Sequence, residues 1–462
     1  MKDIIIIGGG PGGYESAIRG AQLGAKVLLI EKDTIGGTCL NRGCIPTKAL
    51  YRNAEIIKHV KEADHFGIDI PSFSINAEKI QSRKQDVVKN LVTGIEQLIM
   101  LNKIEYISGT GKLIDNNTVE VTTADGVTQH KGKNIIIATG SVVSLPPVEG
   151  ADLEDIYTSD ELLDFTEIPK SMIVIGAGVV GVEFANIFNS FGSEITLMLR
   201  GDYIVKTEDI EVSKRLAMYF KKSGIKVVNK IQYKKIEKID DMFHVTIESK
   251  KGEQTYVAEK LLMAAGRKPS LENIGLEELG IEFTKKGITV NDKYETNVAN
   301  VYAIGDVNGI LMLAHVASHQ GIATVERIMG KIPTINQSLV PNCIFTFPEV
   351  SSIGKTEEML KASGAEYKTN KFNFIANGKA LALAEGDGFV KVIESEGKIV
   401  GVHIIGPHAS DLIHEAVIII NQGLGVKDVA NTIHAHPTLS EAFVEAVLGL
   451  HNEAIHQAPA KK

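Results

Sequence analysis

"IIIIGGGPGGYESAIRGAQLGAKVLLIEK" (residues 4–32) opens with four isoleucines, breaks into glycines and ends in a second apolar run. The isoleucines read as a buried strand, the middle as a helix and "VLLIEK" as a second strand. In that setting the G-x-G-x-x-G of Gly8, Gly10 and Gly13 has a purpose: it permits a tight turn, close backbone approach to a pyrophosphate and close helix packing. The pattern returns in "MIVIGAGVVGVEFANIFNSFGSEITLMLR" (172–200), with Gly176, Gly178 and Gly181 in register and Gly24 aligned with Gly192. Empty glycine-rich turns are the plain alternative, but strand and helix flanks in both copies argue for two dinucleotide sites.

The copies differ where the adenosine ribose is read. Glu31 ends the second strand of the first copy, where a carboxylate can accept both hydroxyls of an unmodified ribose. The aligned Leu199 cannot, and Arg200 and Lys206 follow it. Two cations suit a 2′-phosphate, which leans the second site toward NADP(H). Read as solvated loop charges they carry no such meaning, and the residues alone leave both readings open.

Other strand ends extend the pattern. "NIIIATG" (134–140) and "KLLMAAGRKP" (260–269) each run into a glycine turn, and "NVYAIGD" (300–306) ends at Asp306. The β-rich runs 106–123 and 242–258 predict antiparallel hairpins inserted in the two units. After residue 342 strands mix with apolar helices, as in an α+β domain. The expected fold class is α/β: two Rossmann-like dinucleotide-binding domains plus a C-terminal α+β domain. The boundaries are 1–145 and 268–340 for the two parts of the first domain, 146–267 for the second and 341–462 for the last.

Bulk properties narrow the function. With 49 basic and 57 acidic residues and a net charge of −8, no general field draws the chain to nucleic acid. No apolar run reaches the roughly 18–20 residues of a membrane span. "MKDIIIIGGG" lacks the basic region and cleavage site of a secretion signal, so a cytoplasmic protein is expected. Three cysteines in such a chain do not make a disulfide scaffold.

Two of them lie in "GGTCLNRGCIPTK" (36–48). On one regular helix Cys39 and Cys44 would sit too far apart to bridge, but Gly43 can relax the backbone and Pro46 suits the opening turn of a helix. A sulfur at a helix N-terminus has a lowered pKa, and Arg42 is expected to push the same way. No second Cys/His pair follows, so a metal role lacks support and none is expected. A redox pair is the favoured reading, and Cys343 reads as a buried apolar residue.

Both fingerprints, the cysteine motif, "AIGD" (303–306) and "HAHPTLSEAF" (434–443) together resemble the flavoprotein disulfide reductases over nearly the whole chain. The nearest branch is the one that oxidises dihydrolipoamide. The resemblance implies FAD on Gly8, Gly10, Gly13, Glu31, Thr139, Gly140 and Asp306, with NAD or NADP on Gly176, Gly178, Gly181, Arg200, Lys206 and Gly266. It implies that Cys39 exchanges with substrate, that Cys44 lies against the flavin, and that Lys48 and Glu183 pair beside the ring. For Glu183 the plain alternative is a polar residue on the helix after the second fingerprint. It further implies a homodimer through the C-terminal domain, in which His436 and Glu441 act as an acid–base dyad on the other subunit's thiols. A histidine titrating near neutrality suits that task, and Glu441 would orient it. Thr438 to Glu441 also fits a helix capping box, and both roles can coexist. The partner implied is a lipoyl-bearing protein of a 2-oxoacid dehydrogenase complex or glycine cleavage system. The rival readings are an NADPH-dependent reductase of a small disulfide such as glutathione, and a non-catalytic flavin-binding scaffold. Arg42 and His319 depart from the usual pattern of the dihydrolipoamide-oxidising branch.

Overall fold

Ile4, Ile5 and Ile6 are fully buried because their strand, Lys2–Ile7, is hydrogen-bonded in parallel on both sides, to Val27–Glu31 and to Gly126–Ile137. Parallel strands covered by helices on both faces read as continuous apolar runs, which is what the four isoleucines are. The computed structural model describes residues 1–458. In the first sheet Glu105–Ser108 lies parallel on Val27–Glu31, and Val301–Ala303 joins Gly126–Ile137 in parallel. The chain thus returns after residue 300 to the sheet it began at residue 2.

The second copy forms a separate parallel sheet in the order Lys226–Val228, Glu194–Met198, Ser171–Ile175 and Lys260–Met263. Both β-rich insertions exist. Gln232–Ile239, Met242–Ser249 and Gly252–Ala258 form an antiparallel meander, while Thr110–Leu113 pairs antiparallel with Thr118–Thr123, which in turn pairs antiparallel with the first half of Gly126–Ile137. One expectation needs correcting: the start of the 106–123 run is no part of a hairpin but the parallel edge strand, Tyr106 lying opposite Leu29.

The C-terminal residues build a five-stranded antiparallel sheet, ordered Asn342–Ile344, Glu349–Gly354, Lys398–Gly406, Phe389–Ser395 and Lys368–Asn373. Helices Ala409–Gln422 and Glu441–Gly449 pack against it. Its Phe389 and Ile405 share one core with Phe184, Phe188 and Phe220 of the second unit. At that junction Lys391, fully buried, lies 2.9 Å from Asp209, 2.8 Å from Glu357 and 3.1 Å from Glu211.

Burial alone would raise Glu357, but Lys361 and Lys391 outweigh it and pull the carboxyl from 4.5 down to about 2. An acid whose folded pKa is depressed stabilises the fold above its unfolded value and loses that contribution as pH falls through the folded one. The contribution is therefore complete above about pH 5 and lost near pH 2. Urea midpoints followed from neutral pH into acid are expected to fall less steeply in Glu357→Gln than in the parent.

Candidate active site

After the strand Val27–Glu31 the chain forms two helices, Gly37–Arg42 and Cys44–Lys61, broken at Gly43. Gly43 is required sterically, since a Cβ there would lie 2.8 Å from the Thr38 carbonyl oxygen. The break does what a continuous helix cannot: it brings the two thiols close enough that each is the largest influence on the other's acidity. Their proximity is the first cause of an unequal pair. It pushes Cys39 far up, with burial adding to the effect, and brings Cys44 down to about 7 against an ordinary 9.0. Lys48 also lowers Cys44, whereas burial and Glu183 oppose the shift. Cys44 begins its helix, where N–H groups favour a thiolate. It is the more exposed of the two cysteines.

Arg42 does not act as expected. It turns away to a salt bridge with Asp33, with Asp160 at 3.8 Å, and the cation that lowers Cys44 is Lys48. Two carboxylates outside the loop claim its charge.

Lys48 follows Cys44 by one helical turn and so shares its face. Its Nζ lies 2.9 and 2.8 Å from the two Glu183 oxygens. Glu183 is buried on the helix Val179–Phe191. Sequence reasoning missed the third member: the Phe345 N–H donates to Glu183 Oε1 at 3.0 Å, and the Phe345 ring centroid lies 4.3 Å from Lys48 Nζ. Since Lys48 lowers and Glu183 raises the Cys44 pKa, two variants should shift it in opposite directions. The midpoint of the pH profile for alkylation of the reduced protein is expected to rise above about 7 in Lys48→Met and to fall in Glu183→Gln.

The two glycine turns superpose in their logic. Gly8 and Gly176 have φ of 112° and 106°, in the region that favours glycine. A Cβ on Gly13 would lie 1.8 Å from the Gly8 oxygen, and one on Gly181 1.9 Å from the Gly176 oxygen. Helices Pro11–Gln22 and Val179–Phe191 start at Gly10 and Gly178 with no side-chain cap, leaving first-turn N–H groups for an anion. Glu31 is buried and accepts from the Gly9 and Asp33 N–H groups at 2.6 and 2.8 Å, with lone pairs left for ribose hydroxyls. Dinucleotides fit both cradles on these grounds.

In the second unit Leu199 is buried, whereas Arg200 and Lys206 are exposed and make no ion pair among the described residues. Asp306 accepts from Ser141 Oγ at 2.6 Å, and Arg267 in turn donates to Ser141 Oγ at 2.8 Å. Neither Ser141 nor Arg267 was singled out from the sequence, although Arg267 directly follows Gly266. The Thr139 hydroxyl donates to the Ser270 carbonyl at 2.9 Å. Gly140 and Gly266 have φ of 72° and 125°, with open space where a Cβ would stand.

Far along the chain, His436 Nδ1 lies 2.9 Å from Glu441 Oε1. Glu441 starts the helix Glu441–Gly449, and its Oε2 accepts the Thr438 N–H at 2.8 Å, but the expected capping box is not completed: the Thr438 hydroxyl donates to the Ala435 carbonyl at 2.7 Å and Ser440 precedes the helix with no side-chain cap. Burial would raise Glu441, but the Thr438 N–H and His436 win and its pKa is lowered. The imidazole side chain is 78% exposed. Among the described residues no hydrogen bond or ion pair links this dyad to the thiols. His434 is tied to Glu415 at 2.6 Å, and His319 Nδ1 lies 2.7 Å from the His315 carbonyl.

Among the described residues no group of His, Cys, Asp and Glu could hold a metal ion, and no helix is long and apolar enough to cross a membrane. The family model described as pyridine nucleotide-disulphide oxidoreductase matches residues 2–321. The model of that family's dimerisation domain matches residues 340–447. Dihydrolipoyl dehydrogenase of Bacillus subtilis is 42% identical, covering 98% of this chain and 99% of that protein. The mitochondrial dihydrolipoyl dehydrogenase of Rattus norvegicus is 43% identical, covering 96% of this chain and 90% of that protein. The crystal structure of LpdA from Mycobacterium tuberculosis superposes with a TM-score of 0.90 at 27% identity, covering 97% of this chain and 99% of that one.

Proposed function

The chain belongs to the pyridine nucleotide-disulphide oxidoreductase family, and on that premise we propose that it oxidises protein-bound dihydrolipoamide with FAD and NAD(P)⁺ through Cys39 and Cys44. One observation carries the reading: two thiols brought together by the helix break at Gly43, with Cys44 at a helix N-terminus and one turn from Lys48, which lowers its pKa. In their disulfide form, attack by a substrate thiolate is directed to Cys39, because Cys44 is the better leaving thiolate. Leaving-group acidity, not exposure, assigns the two roles.

His436, supplied by the second subunit of a homodimer, takes the proton of the attacking thiol, and ionised Glu441 stabilises the imidazolium. The second substrate thiol then attacks the substrate sulfur of the mixed disulfide. Lipoamide leaves, and the two electrons remain on the Cys39–Cys44 dithiol. Bound FAD supplies two-electron acceptance from that dithiol and hydride donation to the nicotinamide. Gly8, Gly10, Gly13, Glu31, Thr139, Gly140 and Asp306 would hold the FAD, and the Lys48–Glu183 pair, one turn from Cys44, would act beside its reactive part. Gly176, Gly178, Gly181 and Gly266 would hold the nicotinamide nucleotide, and Arg200 and Lys206, exposed and without an ion pair among the described residues, favour NADP(H). The protein works in the cytoplasm on a lipoyl domain of a 2-oxoacid dehydrogenase complex or on a glycine-cleavage carrier.

Steady-state assays with dihydrolipoamide and each oxidised nucleotide, and with glutathione disulfide and NADPH, test the reading. Dihydrolipoamide is expected to be preferred by at least about a hundredfold in kcat/KM; comparable rates with glutathione disulfide would contradict it. Arg200→Glu is expected to lower kcat/KM for NADP⁺ by at least about tenfold and to spare NAD⁺. Equal or better use of NAD⁺ by the parent would overturn the NADP(H) preference alone.

A further inference from the structure

The buried cation at the junction of the second unit and the C-terminal sheet has no part in the chemistry above. Lys391, on the strand Phe389–Ser395, is surrounded by three carboxylates, and two of them, Asp209 and Glu211, belong to the second unit. Asp209 is completely buried and caps the helix Ile210–Lys222 by accepting the Glu211 N–H at 2.9 Å. Beside it Glu208 accepts from Asn342 Nδ2 of the C-terminal sheet at 2.6 Å. Buried His403, on the next strand, is bonded through Nε2 to the Lys355 carbonyl at 3.0 Å. Lys371 reaches Glu211 at 2.7 Å from the sheet's edge strand.

This charged cluster ends the segment that begins at Arg200. Inside the segment the Glu208 N–H donates to the Val205 carbonyl at 2.9 Å, and the Val205 N–H donates to the Ala177 carbonyl at 2.8 Å. Ala177 stands between Gly176 and Gly178 of the fingerprint. Val205 is a β-branched residue at φ 41°, a conformation that persists only where neighbours hold it. A continuous path therefore runs from Lys391 through Asp209, Glu208 and Val205 to the turn, and Lys206 is the next residue after Val205.

We propose that Lys391 is a positioning residue for nicotinamide-nucleotide binding: by anchoring residues 208–211 to the C-terminal sheet it holds the 200–209 segment against the second glycine turn, presenting Arg200 and Lys206 to an adenosine 2′-phosphate. The phosphate part rests on the NADP(H) reading; the anchoring of the turn does not. The depressed carboxyls of Asp209 and Glu211 and the raised Lys391 agree with a cluster that stays charged and closed at neutral pH.

Calorimetric titration of the flavin-loaded protein with 2′,5′-ADP and with 5′-AMP tests it without turnover. Lys391→Met is expected to weaken 2′,5′-ADP by at least about fivefold. Reduction of the Cys39–Cys44 disulfide by dihydrolipoamide, followed by alkylation, should be unchanged, and Lys391→Arg should restore most of the binding. Should Lys391→Met misfold around the unpaired Asp209, the pair Lys391→Met/Asp209→Asn removes both buried charges while asparagine keeps the helix cap, and the same loss is expected. If the parent binds 5′-AMP as tightly as 2′,5′-ADP, the phosphate reading fails and the anchor is judged on 5′-AMP. Affinities for both fragments within about twofold of the parent in a folded variant overturn the proposal.

Discussion

Cys44→Ser is expected to lower dihydrolipoamide oxidation by at least about a thousandfold while leaving the protein folded and yellow. The expectation follows from the unequal thiols. Without the sulfur at about 7 there is no good leaving thiolate and no internal disulfide to attack. Cys39→Ser should be as damaging, since the attacked atom is gone. Cys39→Ala, which unlike serine leaves no donor, also takes away the neighbouring group that is the first cause of the Cys44 shift, so Cys44 in that variant should titrate above about 7. Cys343 offers no substitute: burial first, and then Glu349 and Glu208, push it up to about 12. Cys343→Ser should therefore retain nearly full turnover. Stopped-flow and steady-state rates with dihydrolipoamide, alongside circular dichroism, separate chemical loss from misfolding.

His436→Gln is expected to cost about a hundred- to ten-thousandfold in kcat/KM for dihydrolipoamide, the range for loss of a general base. The loss should shrink as pH rises, because the substrate thiol then ionises without help. Glu441→Gln should cost less, since the imidazole keeps a hydrogen-bond acceptor and loses only the charge that stabilises its protonated form. Whether the dyad acts on its own chain or the neighbouring one can be read from mixed dimers. Cys44→Ser and His436→Gln proteins are each inactive, yet a hybrid of the two has one intact site if the dyad acts across the interface. Random reassortment should then recover about a quarter of parental activity. If thiols and dyad of one chain worked together, the hybrids would stay inactive.

Much of the fold was legible because the deciding residues are local and sterically forced. At Gly13 a side chain would strike the Gly8 oxygen at 1.8 Å, so the fingerprint glycine is an imprint of the turn itself. The thiol pair and the His436–Glu441 pair each lie five positions apart, and one helix break and one helix start bring them together. What escaped the sequence is made by distant segments. Phe345 reaches Glu183 across 162 positions, and Lys391 reaches Asp209 across 182. No periodicity marks either. Arg42 shows the converse error: its place in the loop suggested a role at the sulfurs, but Asp33 and Asp160 hold its charge elsewhere. The run after Glu105 carried strand character without any sign of direction, and pairing with Val27–Glu31 made it parallel.

The most direct measurement is differential alkylation of the three cysteines before and after one equivalent of dihydrolipoamide under anaerobic conditions without nicotinamide, read by peptide mass spectrometry. With unreduced protein, Cys39 and Cys44 should carry no label; after the dithiol both should be labelled and lipoamide should appear in equal amount. Labelling of both cysteines before any reductant, or lipoamide formed while their labelling stays unchanged, would contradict the account.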